Sequence, residues 1–144
     1  MRRIPFGAKV AALVLAAGWT ALPAHAAPAG AGPARLTAGD LRTDALRTPL
    51  GIDDATPTLS WRPHATGHDE AQTAYQIEAA SSPARLDDPD LWDSGRVASA
   101  DPSTSYAGRA PASRQRVWWR VRVWDARGAV SPWTAPSHGG RWAC

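Results

Sequence analysis

The chain has one cysteine among its 144 residues, Cys144 at the extreme end. No intramolecular disulfide can form even in an oxidising compartment, so packing must hold the fold. Arg141 is the only basic group near that thiol in sequence, too little to make it a reactive thiolate, which leaves Cys144 an accident of the terminus. Long hydrophobic runs are also missing. The apolar stretch Val10 to Leu22 has 13 residues, well short of the roughly 20 that a membrane-crossing helix needs. Arg2, Arg3 and Lys9 precede it and Ala24-His25-Ala26 closes it, the pattern of an export signal over residues 1–26 cleaved after Ala26. With no cysteine beside the cleavage site, a lipoprotein anchor is excluded. Arg2-Arg3 raises twin-arginine export, but Ile4-Pro5-Phe6 continues that motif poorly and the general secretory route fits better. Either route predicts a secreted, extracellular protein with no membrane anchor.

Charge of one sign is scarce once the signal is gone. The formal net charge of +3 and pI near 9.7 would suggest nucleic acid as a partner. Removing Arg2, Arg3 and Lys9 brings the 16 basic residues level with the 13 acidic ones. The basic excess belongs to a segment the finished protein lacks, so nucleic acid is discarded. Helical periodicity is absent too, with no window of about 11 residues keeping a clean 3.6-residue repeat. No internal repeat is visible. The 118 residues after Ala26 suit one small domain and are too few for a large catalytic barrel.

What the chain does have is tryptophan and strict alternation. In Gln115 to Gly128, Val117, Trp119, Val121 and Val123 fall on one face of a predicted strand. Trp118, Arg120, Arg122 and Trp124 form the opposite row, two indoles flanking two guanidiniums. Asp125-Ala126-Arg127-Gly128 should then turn, with Gly128 left-handed, onto a hairpin partner over Val130 to Thr134. Upstream, Ala27 to Ala34 lacks any large apolar side chain and reads as a disordered Ala/Pro/Gly linker. Leu36 and Leu41 mark a weak first strand, and Pro49-Leu50-Gly51-Ile52 an irregular continuation at an edge. Thr58 to Arg62 puts Leu59 and Trp61 on one face, bracketed by Pro57 and Pro63. In Gln72 to Ser81, Thr73, Tyr75, Ile77 and Ala79 should point inward and Gln72, Gln76 and Glu78 outward. Leu91 to Val97 is a short strand broken by Ser94-Gly95, and Ser103 to Tyr106 is another.

Six or seven short strands separated by turn signals predict an all-β sandwich over residues 35–136, immunoglobulin or fibronectin type III in character. The lack of a cysteine pair favours the fibronectin version, with Trp61 at the centre of the core. Residues 137–144, Ser137 to Cys144, fit no element and are expected as an irregular tail.

Taken together, Pro49-Leu50-Gly51-Ile52-Asp53, Leu59-Ser60-Trp61, Gln72 to Ile77, Leu91 to Val97, Tyr106-Ala107-Gly108 and Trp119 to Asp125 resemble a known family. It is the N-terminal domain of bacterial α-L-rhamnosidases of glycoside hydrolase family seventy-eight. The resemblance covers Leu36 to Pro136 with the motifs in the family's order. It implies a fibronectin type III-like module ahead of further β-sandwiches and an (α/α)6 barrel that hydrolyses terminal L-rhamnose, with other domains of that enzyme as partners. It also implies that the catalytic carboxylates belong to the barrel, so no catalytic residue is carried onto this chain. The departure after Pro136 suggests a truncated or frameshifted reading frame.

The residues themselves point away from chemistry. Glycoside hydrolysis needs two carboxylates across a cleft, one kept protonated by an apolar setting. Asp53-Asp54, Asp69-Glu70 and Asp87-Asp88 are neighbours in polar loops, and with Asp93 they read as turn and cap residues. His64 and His68 could share a metal on a helix, but Pro63 and Gly67 oppose a helix and no third ligand is placed, so they read as solvated loop histidines. No cofactor and no metal are expected. The row Trp118, Arg120, Arg122 and Trp124 is the one constellation with two readings: a self-satisfied surface of guanidiniums stacked on indoles, or a contact surface for other domains. A carbohydrate platform for rhamnose-containing glycans comes third, and with it the alternative of an independent sugar-binding or adhesion module.

Overall fold

The structure, a computed structural model, describes residues 33–142. The expected export signal, most of the linker at 27–34 and Cys144 lie outside the described residues. Seven strands run in chain order: β1 (Leu36–Thr43), β2 (Thr58–Ala65), β3 (Ala74–Ala80), β4 (Trp92–Asp93), β5 (Ser103–Ser105), β6 (Gln115–Trp124) and β7 (Ser137–Trp142). They make two antiparallel sheets, ordered β1-β2-β5 and β4-β3-β6-β7. Among the described residues the only helical element is the single 3-10 turn Pro83–Arg85. This is the immunoglobulin-like, fibronectin type III-like sandwich that the strand pattern predicts.

β6 forms the spine of the core. Val117, Trp119, Val121 and Val123 are at most 1% exposed, and β3 sets Tyr75, Ile77 and Ala79 opposite Val123, Val121 and Trp119. Leu36, Leu59 and Trp61 close this core from the other sheet. Trp61 meets Tyr75 edge-on at 5.0 Å, and its indole N–H donates to Gln72 Oε1 at 2.8 Å. That bond corrects the expected facing of Gln72 and Thr73. A buried indole N–H requires an acceptor, and β3 begins only at Ala74, so the chain just before it is free of the alternation. Gln72 is therefore buried, its amide donating to the carbonyls of Ser99 and Asp101, while Thr73 is exposed.

Pro63 does not end β2, which runs on to Ala65. The Trp61 amide donates toward Pro102, and Pro63, two residues on, turns its nitrogen to that same side, beyond the reach of three-residue β5. A proline fits there because no ladder bond is lost. His64 accordingly stands on β2, paired with Thr37, and not in a loop.

The turn after β6 forms as predicted, with Gly128 at φ +81° and its amide donating to the Asp125 carbonyl. The returning segment is not a regular strand. Pro132 has no N–H to offer, and the hydroxyls of Ser131 and Thr134 accept from the amides of Val123 and Val121. Asp125 is fully buried, and its carboxylate accepts from the amides of Ala129, Arg127 and Arg35 and from the Arg127 guanidinium. Burial pushes this carboxyl up, but those donors outweigh it and hold it below the ordinary 3.8.

The expectation of an irregular tail at 137–144 is overturned over Ser137–Trp142, which pair with β6. Trp142 is fully buried, edge-on to Tyr106 at 4.6 Å. A bulge hides this strand from a two-residue count: between Trp118 and Arg116 on β6, β7 advances from His138 to Arg141, one residue extra. Gly140 takes φ +83°, and a Cβ there would lie 2.5 Å from the Pro49 carbonyl oxygen, so only glycine fits.

Two outcomes follow for stability. Trp61→Ala should cost about 3–5 kcal/mol, enough to abolish the cooperative melt of a domain this size; an unchanged denaturant midpoint would remove Trp61 from the centre of the core. Because the Asp125 carboxyl is depressed in the folded state, its contribution is full above 3.8 and lost as pH falls through the lower folded value. Asp125→Asn should lower stability at neutral pH and flatten the acid limb of a plot of unfolding free energy against pH.

Candidate interaction surface

The outer face of the four-stranded sheet carries the side chains that β6 turns away from the core. Trp118, Arg120, Arg122 and Trp124 are all half-buried there. Register fixes their neighbours: Glu78 lies directly opposite Arg120, and Gln76 opposite Arg122. Arg120 donates through Nε to Glu78 Oε2 at 2.8 Å and through Nη2 to the Leu86 carbonyl and to Asp87 Oδ1 at 3.0 and 3.1 Å. A second contact from Nη2 to Glu78 Oε2 spans 2.6 Å, which explains why an outward-facing glutamate is nearly covered. Arg122 donates Nε and Nη2 to Gln76 Oε1 at 3.0 and 2.7 Å, and the Gln76 amide donates on to Asp93.

Trp133, which the sequence reading did not single out, completes the row. The guanidiniums of Arg120 and Arg122 lie 4.6 and 4.5 Å from its ring centroid. Arg122 also sits 5.3 Å from Trp124, whose ring is met by Arg96 at 5.1 Å. Cation and indole therefore alternate in the order Arg96, Trp124, Arg122, Trp133, Arg120. Trp118 stands apart from this stack, edge-on to His138 at 4.9 Å. The sequence signal for Trp133 was the Ser131-Pro132-Trp133-Thr134 segment, whose two hydroxyls clip it to β6 and aim the indole over the arginines.

Four of the carboxylates weighed as candidates are committed to structure. Asp54 accepts from the Thr56 amide, and Asp93 from the Gly95 amide and Gln76. Glu70 faces Arg35 at 3.8 Å and Asp87 faces Arg120. Three other carboxyls are clearly displaced, all downward. Asp40 is lowered first by its hydrogen bond from Arg42; at Asp90 burial pushes up but the hydroxyl and amide of Ser81 prevail; Asp125 is the third. A general acid needs the opposite displacement. Among the described residues no three His, Cys, Asp or Glu side chains are grouped to hold a metal ion, and no helix is long and apolar enough to cross a membrane.

Two packed antiparallel sheets of three and four strands define an immunoglobulin-like module. The family described as "Rha78A-like, N-terminal immunoglobulin domain" matches residues 38–139, and the chain belongs to it. It is 48% identical over 93 residues to an α-L-rhamnosidase of Streptomyces avermitilis, covering 64% of this chain and 9% of that protein. An α-L-rhamnosidase of Alteromonas sp. is 40% identical over 93 residues, covering 62% and 10%. The solved S. avermitilis α-L-rhamnosidase complexed with L-rhamnose superposes with a TM-score of 0.70 at 44% identity, covering 74% of this chain and 10% of that one. The α-L-rhamnosidase from Dictyoglumus thermophilum gives 0.69 at 31% identity, over 74% and 12%. The chain thus spans only about a tenth of the length of the curated relatives it matches.

Trp133→Ala removes the indole shared by two guanidiniums and should cost about 1–2 kcal/mol in urea unfolding, from two cation–π contacts of about 0.5–1 kcal/mol each. A midpoint equal to wild type would mean that the stack contributes nothing to stability.

Proposed function

We propose that this domain is the non-catalytic N-terminal accessory sandwich of a secreted α-L-rhamnosidase, supporting and contacting other domains of that enzyme. The family match over residues 38–139, with relatives that share only this small part of their length, is the observation that carries the reading. The direction of the carboxyl displacements supports it, because none prepares a protonated acid beside an ionised partner. Secretion rests on the signal-like pattern of residues 1–26. The row on β6 suits an interface better than a sugar platform: the rings of Trp133 and Trp124 are each already met by two guanidiniums, whereas a sugar ring stacks on an open indole face.

The purified chain should leave a chromogenic α-L-rhamnoside untouched. Turnover that co-purifies with the protein through successive columns would overturn the accessory role. Saturable binding to a rhamnose-containing glycan, lost in Trp118→Ala or Trp124→Ala, would instead establish an independent sugar-binding module.

A further inference from the structure

Arg116 and Arg141 are directly opposite each other across β6 and β7. Cross-strand partners share a face, and like charges in that position destabilise a sheet. Both side chains line one cleft of about 330 Å³, together with Thr48, Pro49, Leu50 and His138. Among the described residues neither guanidinium has an ion pair, unlike Arg120 nearby. The bulge at Gly139-Gly140 makes this arrangement. Three residues apart on a regular strand, His138 and Arg141 would face opposite ways, and the extra residue brings both to the cleft. The same bulge receives the Pro49 carbonyl, leaving Leu50 97% exposed at the rim and Leu46 57% exposed in the same loop. His138 contributes its ring to the lining: its Nδ1 accepts from the Gly140 amide, and its Nε2 is buried without a partner.

We infer that this cleft docks a carboxylate-bearing segment of an adjoining protein domain, an Asp or Glu seated between Arg116 and Arg141 with an apolar neighbour on Leu50. The inference rests on the accessory-domain reading and names the surface that reading requires. Charge complementarity carries it, since an anion between the two guanidiniums turns a repulsive pair into two charge-assisted contacts. Arginine is enriched at protein interfaces, and exposed Leu50 adds an apolar contact beside the pair. An acidic sugar is the less favoured occupant, because the cleft offers no open aromatic face: the imidazole of His138 is taken up by Trp118.

The test is a heteronuclear NMR titration of the isotope-labelled protein with acetyl-Glu-Leu-Glu-amide, with acetyl-Gln-Leu-Gln-amide and trigalacturonate as separate arms. Saturable shifts of the Leu50, Arg116, His138 and Arg141 amides with the acidic peptide alone are expected, weakened about tenfold in Arg141→Gln. The free Arg141→Gln protein should melt no lower than wild type, since it loses a repulsion, and this confirms that its weaker binding is not misfolding. Silence with the acidic peptide, equal shifts with the glutamine peptide, or unchanged affinity in Arg141→Gln would each overturn the inference. Shifts with trigalacturonate alone would overturn it too and assign the cleft to an acidic sugar. None of these outcomes alters the result with the chromogenic rhamnoside, so the accessory reading stands or falls separately.

Discussion

Successive side chains of a strand leave on opposite faces, so β6 cannot bury Val117, Trp119, Val121 and Val123 without turning Trp118, Arg120, Arg122 and Trp124 to the other side. Both faces of the central strand are thereby committed at once. The inner row needs apolar partners, which β3 and the opposite sheet supply. The outer row carries two guanidiniums on a well-covered strand, where a charge without partners is costly. Most of what packs around β6 answers one of these two demands.

The outer demand is met by different means along one strand. Arg120 finds opposite charge in Glu78 and Asp87, whereas Arg122 finds a neutral amide oxygen in Gln76 and indole faces in Trp133 and Trp124. Trp133 links the two solutions because both guanidiniums lie against its ring. It can do so only because the segment carrying it is clipped to β6 by the hydroxyls of Ser131 and Thr134, which accept from the Val123 and Val121 amides where a regular strand would offer carbonyls. A local substitution of side-chain for main-chain hydrogen bonds thus positions the stack. The buried Asp125 carboxylate anchors the turn that precedes it.

Alternation was legible wherever the chain kept a count of two. β6, the Leu59–Trp61 face of β2 and the turn at Gly128 could be read directly from residue spacing, and so could the sandwich they build. What escaped lies where the count breaks or where a partner arrives from far along the chain. Gln72 looks outward by alternation and is drawn inward by an indole N–H eleven residues earlier, Trp61. β7 is invisible to a count of two because Gly139-Gly140 inserts an extra residue, and glycines carry no hydrophobic signal. Alternation alone yields an outer row of two tryptophans and two arginines, yet its stacking depends on Trp133 and Arg96, and its polar partners Gln76 and Glu78 come from β3. No spacing within β6 contains that information, since strand pairing creates it.

The same bulge that hid β7 separates two kinds of basic surface. Before it, arginines are stacked on indoles or paired with carboxylates, and the face is finished within the domain. Past it, Arg116 and Arg141 confront each other with exposed Leu50 at their side. A fold that satisfies Arg120 with two acids and Arg122 with two indoles could have placed an acid opposite Arg116 at little cost; a second arginine stands there instead. Self-repulsion retained beside so thoroughly matched a neighbourhood is what the inferred interface would use, since charge left uncompensated in the free domain steers and orients an oppositely charged partner.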